Sequence, residues 1–270
     1  MLLLATVIYV ICYLYYKYYK TVFNPSRLLL PKPEEVEEVK IKSGSGELCA
    51  WERIVKSPLN RAEDKPLLLY FHGNNLNLTF RSYVVSLSKL LGCSLILPDY
   101  RGFGKSSGYS NVQSLQEDAL AVYDYARSKS RRIILWGESL GGYAASYCLT
   151  RHQPEKLVLF NTFSNLTQVS PLCLRPLFLY FPNLSNQEFL KHYKGPSLVI
   201  HSRGDTFIPF SQAERNHQLL SGFFLEIAGD HSTPDFTLDN FYTLLDFLQV
   251  KHPREEDCQA WIKVAKRGFI

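Results

Sequence analysis

Several features are missing from this chain of 270 residues, and each absence removes a class of function. Its six cysteines (Cys12, Cys49, Cys93, Cys148, Cys173 and Cys258) stand far apart, with no CxxC pair and no metal-type spacing. A disulfide framework and a zinc site are therefore not expected, and no metal is assigned. Scattered thiols fit a reducing compartment better than a secreted one. Lysine and arginine total 30 against 25 acidic residues, a net charge of +5 without a concentrated basic face. Lacking such a face and any recognisable module, the chain is not expected to bind nucleic acid. There is no internal repeat and no low-complexity tract. What remains, 46% hydrophobic and 20% charged, is an ordinary globular composition, long enough for one large α/β domain.

Charge is also absent from Met1 to Tyr16, "MLLLATVIYVICYLYY". With Tyr18, Tyr19 and a snorkelling Lys17, residues 1–19 reach the ~17 positions needed to cross a bilayer. Clustered tyrosines suit the membrane–water interface. No A-x-A-like site follows, so the segment reads as an uncleaved single-pass anchor with the membrane as partner. Lys17, Lys20, Arg27 and Lys32 follow it and no charged side chain precedes it. The positive-inside tendency then puts the bulk of the chain in the cytosol. Asn77-Leu78-Thr79, Asn165-Leu166-Thr167 and Asn183-Leu184-Ser185 are glycosylation triplets that would matter only outside it.

Residues 20–35, rich in proline, read as a linker, 36–250 as the domain and 251–270 as a tail, a solvated helix rather than a membrane contact. "VEEVKIKSGSGELCAWERIV" (36–55) predicts two strands around a turn. "LLLYFH" (67–72), "CSLILP" (93–98), "RIILWG" (132–137), "KLVLFN" (156–161), "PSLVIH" (196–201) and "FFLEIA" (223–228) are short apolar strands separated by helical patterns. Such strands predict a mostly parallel sheet covered on both faces, with ligands at the strands' carboxyl ends.

That rule selects the chemistry. Gly137-Glu138-Ser139-Leu140-Gly141 fits G-x-S-x-G between a strand and a helix beginning near Leu140. Gly137 and Gly141 would let backbones pass closely around a strained Ser139. A serine hydroxyl needs a base. Of seven histidines, His231 in "GDHSTPD" lies between the last strand and the last helix. His201 ends a strand and reads as packed, and the others as surface residues, apart from His72, assigned to hold its loop. The base needs a carboxylate, and "HSRGDTFIP" puts Asp205 after a strand, with Asp230 and Asp99 as weaker rivals. Two backbone N–H groups should form an oxyanion site: Leu140, after the nucleophile, and Asn74 in "HGNN", where Gly73 permits close approach. Gly104-Lys105-Ser106 imitates the end of a phosphate loop, but the required earlier glycine is Asp99.

Taken together, "FHGN", "DYRGFGKSSG", "GESLGG", "HSRGDTFIP" and "GDHS" resemble the α/β-hydrolase superfamily across roughly residues 36–250. The chain looks most like its membrane-anchored members, which include depalmitoylases and lysophospholipid lipases and overlap the serine-aminopeptidase-like branch. The resemblance implies an α/β-hydrolase fold with an eight-stranded sheet, a Ser139–Asp205–His231 triad and no cofactor. "HGNNLN" departs from it, since relatives often carry a smaller residue after HGN.

A short cap insert is expected at about 162–195, with Leu172, Leu174, Leu177, Phe178, Leu179, Tyr180 and Phe181 close together. These either line an acyl cavity or pack the cap on the core. The leading expectation is a membrane-anchored serine hydrolase of lipid-like esters or thioesters. An aminopeptidase or small-ester hydrolase on the same triad, or a non-catalytic binding protein of the same fold, are the alternatives.

Overall fold

The computed structural model describes residues 2–55, 65–169, 172, 175 and 182–268. The elements run α1 (Leu2–Val22), β1 (Asn24–Pro25), β2 (Glu37–Ser43), β3 (Gly46–Arg53), β4 (Leu67–Phe71), β5 (Asn75–Leu76), α2 (Ser82–Leu90) and β6 (Ser94–Pro98). Then come α3 (Val112–Lys129), β7 (Ile133–Glu138), α4 (Leu140–Cys148), β8 (Lys156–Phe160), α5 (Leu166–Val169), α6 (Gln187–Leu190) and β9 (Ser197–Ser202). The chain continues with α7 (Phe210–Leu220), β10 (Phe223–Gly229), β11 (Pro234–Asp235), α8 (Leu238–Leu248) and α9 (Glu255–Gly268).

Among the described residues one sheet carries nine strands in the order β11-β10-β9-β8-β7-β4-β6-β3-β2. Eight coincide with the expected strands. The ninth, β11, is a two-residue antiparallel addition at the edge, too short to leave a periodic signal. From β6 to β10 every pairing is parallel, and β3 pairs antiparallel with both β6 and β2. Every residue of β4, β6, β7, β8 and β9 is buried, because helices cover both faces. Alternation then divides each strand between two cores. Leu67, Leu69, Phe71, Ile133 and Leu135 join the side packed by α3, α4 and α7. Leu68, Tyr70, Ile134 and Trp136 join the side packed by α2, α8 and α9.

Three expectations change. The first segment does form a helix, α1, but among the described residues no helix is long and apolar enough to cross a membrane. Its six tyrosines and two lysines dilute the apolar run. Residues 20–35 are docked rather than loose. The Asn77 side-chain amide donates to the carbonyls of Ser26 (3.0 Å) and Leu28 (2.7 Å), and β1 pairs with β5. Asn77 is therefore fully buried, and its glycosylation triplet is closed to modification in the folded chain. The tail is a packed helix, with Cys258, Trp261 and Ala265 buried. The Trp261 indole donates to the Tyr83 carbonyl at 3.0 Å. Of the predicted apolar cap residues, Leu172 is exposed, and Leu174, Leu177 and Phe178 to Phe181 lie outside the described residues.

Candidate active site

The carboxyl ends of β4, β7, β8, β9 and β10 converge on Ser139. β7 ends at Glu138 and α4 starts at Leu140, so the chain reverses within one residue. Ser139 has φ +51° and ψ −115°, a conformation costing about 1–3 kcal/mol for a residue with a side chain. The surroundings hold it there. Its N–H donates to the Phe160 carbonyl at 2.9 Å, and its carbonyl accepts from Gly142 N–H (3.0 Å) and the Thr162 hydroxyl (2.6 Å). A Cβ on Gly141 would lie 2.0 Å from the Phe71 carbonyl oxygen, and one on Gly137 2.5 Å from the Gly141 oxygen. Neither position accepts a larger residue.

The turn presents the Ser139 hydroxyl to His231. Nε2 of His231 lies 3.1 Å from Ser139 Oγ, and Nδ1 lies 2.7 Å from Asp205 Oδ2. With the ring proton on Nδ1 donated to the carboxylate, Nε2 accepts from the serine hydroxyl. Asp205 is fixed independently, because its Oδ1 accepts from the N–H groups of Phe207 (2.9 Å) and Ile208 (2.8 Å). Its rivals do other work. Asp230 Oδ1 accepts from Ser232 and Thr233 N–H in its own turn. Asp99 receives the His72 ring at 3.1 Å and Leu78 N–H at 2.7 Å, bracing the loop after β4. His201 is buried and bonded to the Ile208 carbonyl at 2.9 Å. Burial holds its pKa below the ordinary histidine value, so it stays neutral beside Asp205.

The oxyanion candidates flank the same point. Leu140 is the first residue of α4, so its N–H has no intrahelical acceptor, and the helix directs its positive end at Ser139. Asn74 shares a cleft with Ser139 and Leu140. Its carbonyl accepts from Asn24 N–H at 3.1 Å, and its side-chain amide donates to the Thr21 carbonyl at 2.9 Å. The end of α1 and the residues just after it thus hold the loop after β4. Gly73 lies beside it, and a Cβ there would sit 3.4 Å from that of Ser139. Lys105 and Ser106 form no phosphate cradle: Lys105 pairs with Glu38 at 2.6 Å, and Ser106 donates to the Asp99 carbonyl at 2.9 Å.

Two cavities meet at Ser139 and His231. One is walled mainly by Val22, Leu140, Phe163, Leu166, Val169, Phe207 and Ile208, with Thr21 and Asn74 at its rim. The other is bordered by Gly73, Asn75, Arg81, Glu138, Phe160, Asn161 and Ser232. Arg81, Glu138 and Thr162 carried no sequence signal as site residues. Glu138 fills a position that the serine motif leaves open, and Arg81 reads as a surface charge.

The architecture is the α/β-hydrolase fold, and the chain is similar to members of that superfamily. Residues 62–189 match a family model described as serine aminopeptidase, S33. The chain is 30% identical over 177 residues to the lysophosphatidylserine lipase ABHD12 of Rattus norvegicus, covering 55% of this chain and 44% of the relative. It therefore spans less than half the length of that curated relative. An uncharacterized protein, R595, of Acanthamoeba polyphaga mimivirus is 26% identical, with 81% of this chain and 83% of that one covered. Among solved structures, the esterase PF2001 of Pyrococcus furiosus superposes with a TM-score of 0.67 at 16% identity, covering 84% and 97% of the two chains.

Proposed function

We propose that this chain is a membrane-associated serine hydrolase that cleaves carboxylic ester or thioester bonds of lipid-like acyl substrates. The observation that carries the reading is the unbroken path from Ser139 through His231 to Asp205, opening on an apolar cleft. Ser139 attacks the substrate carbonyl while His231 takes its proton and Asp205 stabilises the imidazolium. The amides of Leu140 and Asn74 receive the oxyanion. His231 protonates the leaving alcohol or thiol, and water then releases the acyl group by the same steps in reverse order of partners. No cofactor enters this scheme.

The apolar cleft suits an acyl chain, and the name of the rat relative points the same way. For the aminopeptidase alternative, a substrate ammonium would need a free carboxylate. The nearest candidate, Glu138, accepts through Oε2 from the hydroxyls of Tyr70 (2.8 Å) and Tyr83 (3.0 Å), with Arg81 at 3.6 Å from the same oxygen, so only Oε1 is left for such a group. For membrane association, α1 is the element. From Ala5 to Tyr16 its side chains are exposed apart from half-buried Leu14, and they are almost wholly apolar. A helix of this kind rests in the interfacial zone, with tyrosines at headgroup level. Cys49, Cys93, Cys148 and Cys258 are unpaired thiols, which favours the cytosolic side.

A fluorophosphonate probe tests the enzyme reading. Wild type should label and Ser139→Ala should not, with hydrolysis falling roughly 10⁴-fold or more. A folded wild type that stays unlabelled overturns it. Across a series of acyl lengths, a preference for acetyl over long-chain esters would remove the lipid substrate and leave a small-ester hydrolase.

A further inference from the structure

We propose that residues 21–30 form a strap that positions the Asn74 N–H for the transition state, with Asn24 and Arg27 as positioning residues for the chemical step. The proposal rests on the hydrolase reading above and adds which part of the chain sets one of its two oxyanion donors.

The two donors are held in different ways. Leu140 N–H stands on α4, which is buried in the domain from Leu140 to Ser146. Asn74 N–H stands on the loop after β4, and among the described residues it has no acceptor. That loop does not keep its shape by itself. Leu76 has φ +64°, a left-handed conformation that a side chain disfavours, so contacts from outside must hold it there.

Most of those contacts come from the strap. The Asn74 carbonyl accepts from Asn24 N–H at 3.1 Å, and the Leu76 carbonyl from Ser26 N–H at 3.4 Å. Only the Asn75 carbonyl between them is taken by the domain, through Arg81 at 3.1 Å. Side chains repeat the pattern. The Asn24 amide donates to Asn75 Oδ1 (3.0 Å), and the Asn74 amide to the Thr21 carbonyl (2.9 Å). The Asn77 amide serves Ser26 and Leu28. The strap is itself fixed at both ends. Val22 and Phe23 are buried in the core. Further on, the Arg27 guanidinium donates to the carbonyls of Gly104 and Ser106 at 2.7 Å each, and Gly104 N–H donates to the Ser26 carbonyl at 2.9 Å.

An oxyanion donor contributes most as negative charge develops, so an error in its aim reaches kcat rather than ground-state binding. Loosening the strap lets Leu76 relax and turns the peptide that carries Asn74 N–H. Ser139, His231 and Asp205 keep their own bonds, and Leu140 keeps its place on α4, so the loss is partial.

The test uses the full chain carrying Asn24→Ala and Arg27→Met together, with nitrophenyl butyrate as substrate. We expect kcat to fall roughly tenfold while KM stays within about twofold, and Arg27→Lys in place of Arg27→Met to restore part of the loss. Two inhibitors sharpen the split. Propyl trifluoromethyl ketone takes the Ser139 oxygen at its carbonyl carbon, passes the hydroxyl proton to His231 and leaves an oxyanion. The corresponding alcohol fills the same cleft and forms no such bond. The inhibition constant of the ketone should rise by the same factor as kcat falls, and that of the alcohol should not move. Should the double variant lose its near-ultraviolet circular dichroism, Arg27→Met alone, altered at an exposed residue, carries the same comparison. An unchanged kcat, or equal weakening of both inhibitors, overturns the strap as a positioning element while leaving the hydrolase standing. A folded wild type that does not label with fluorophosphonate overturns the hydrolase instead.

Discussion

The first and last helices of the chain differ in composition in the direction opposite to their burial. α1 is apolar along most of its length, yet from Ala5 to Tyr13 its side chains are exposed. α9 begins Glu-Glu-Asp and carries lysines and an arginine, yet packs closely. Distribution explains the inversion. A docking site needs one apolar stripe at helical spacing, and residues apolar on every side serve it no better. In α9, Cys258, Trp261 and Ala265 fall on one stripe, and Trp261 stacks on Phe241 with ring centres 4.7 Å apart. Among the described side chains of α1, Tyr18 and Val22, with Phe23 just after it, are buried against the domain, and the Tyr18 hydroxyl reaches the Pro182 carbonyl at 2.5 Å. From Ala5 to Tyr16 the side chains are exposed, apart from half-buried Leu14, and largely apolar.

The largest effect expected from breaking this contrast is at α9. Trp261→Ala removes the stacked ring and its hydrogen bond to the Tyr83 carbonyl, and should cost about 3–5 kcal/mol in urea unfolding. Trp261→Phe keeps the stacking and loses chiefly the hydrogen bond, about 1 kcal/mol. A loss below that for the alanine variant would mean that α9 adds little to the second core.

Packing of this kind was only partly legible in the sequence. Strands read well because β4, β6, β7, β8 and β9 are buried on both faces and leave unbroken apolar runs. With the strands in place, the carboxyl-edge rule led to Ser139, Asp205 and His231, and the distances bring those three side chains together. What stayed hidden depends on partners far away in the chain. Arg81 looks like any helix-leading arginine until Glu138, Tyr70 and Tyr83 surround it. The docking of residues 20–35 depends on Asn77 and on Arg27, whose guanidinium donates to the carbonyls of Gly104 and Ser106 at 2.7 Å. Backbone acceptors carry no residue code, so no periodicity could have announced them.

A smaller effect is expected where α1 meets the site. Val22 is buried, and it walls the apolar cleft beside Thr21 and Leu140. Val22→Ala should cost ~2 kcal/mol for the methyl groups removed, and it enlarges the cleft at the same time. The preferred acyl chain should lengthen relative to wild type when kcat/KM is compared across chain lengths. An unchanged optimum would mean that the end of α1 supports the oxyanion loop without shaping the acyl site.

The smallest effect on stability is expected at the exposed half of α1, and there the comparison becomes sharpest. Ile8 and Ile11 are each about half exposed, at 52% and 53%. Replacing both by serine should alter the unfolding free energy by no more than about 0.5 kcal/mol per site, since they touch little of the domain. The same pair should weaken binding to phospholipid vesicles in a flotation assay by roughly tenfold or more, because two apolar side chains leave the interface. Hydrolysis of a soluble butyrate ester should not follow that loss. If vesicle binding were unaffected while stability dropped, the exposed turns of α1 would belong to a protein contact rather than to a bilayer surface.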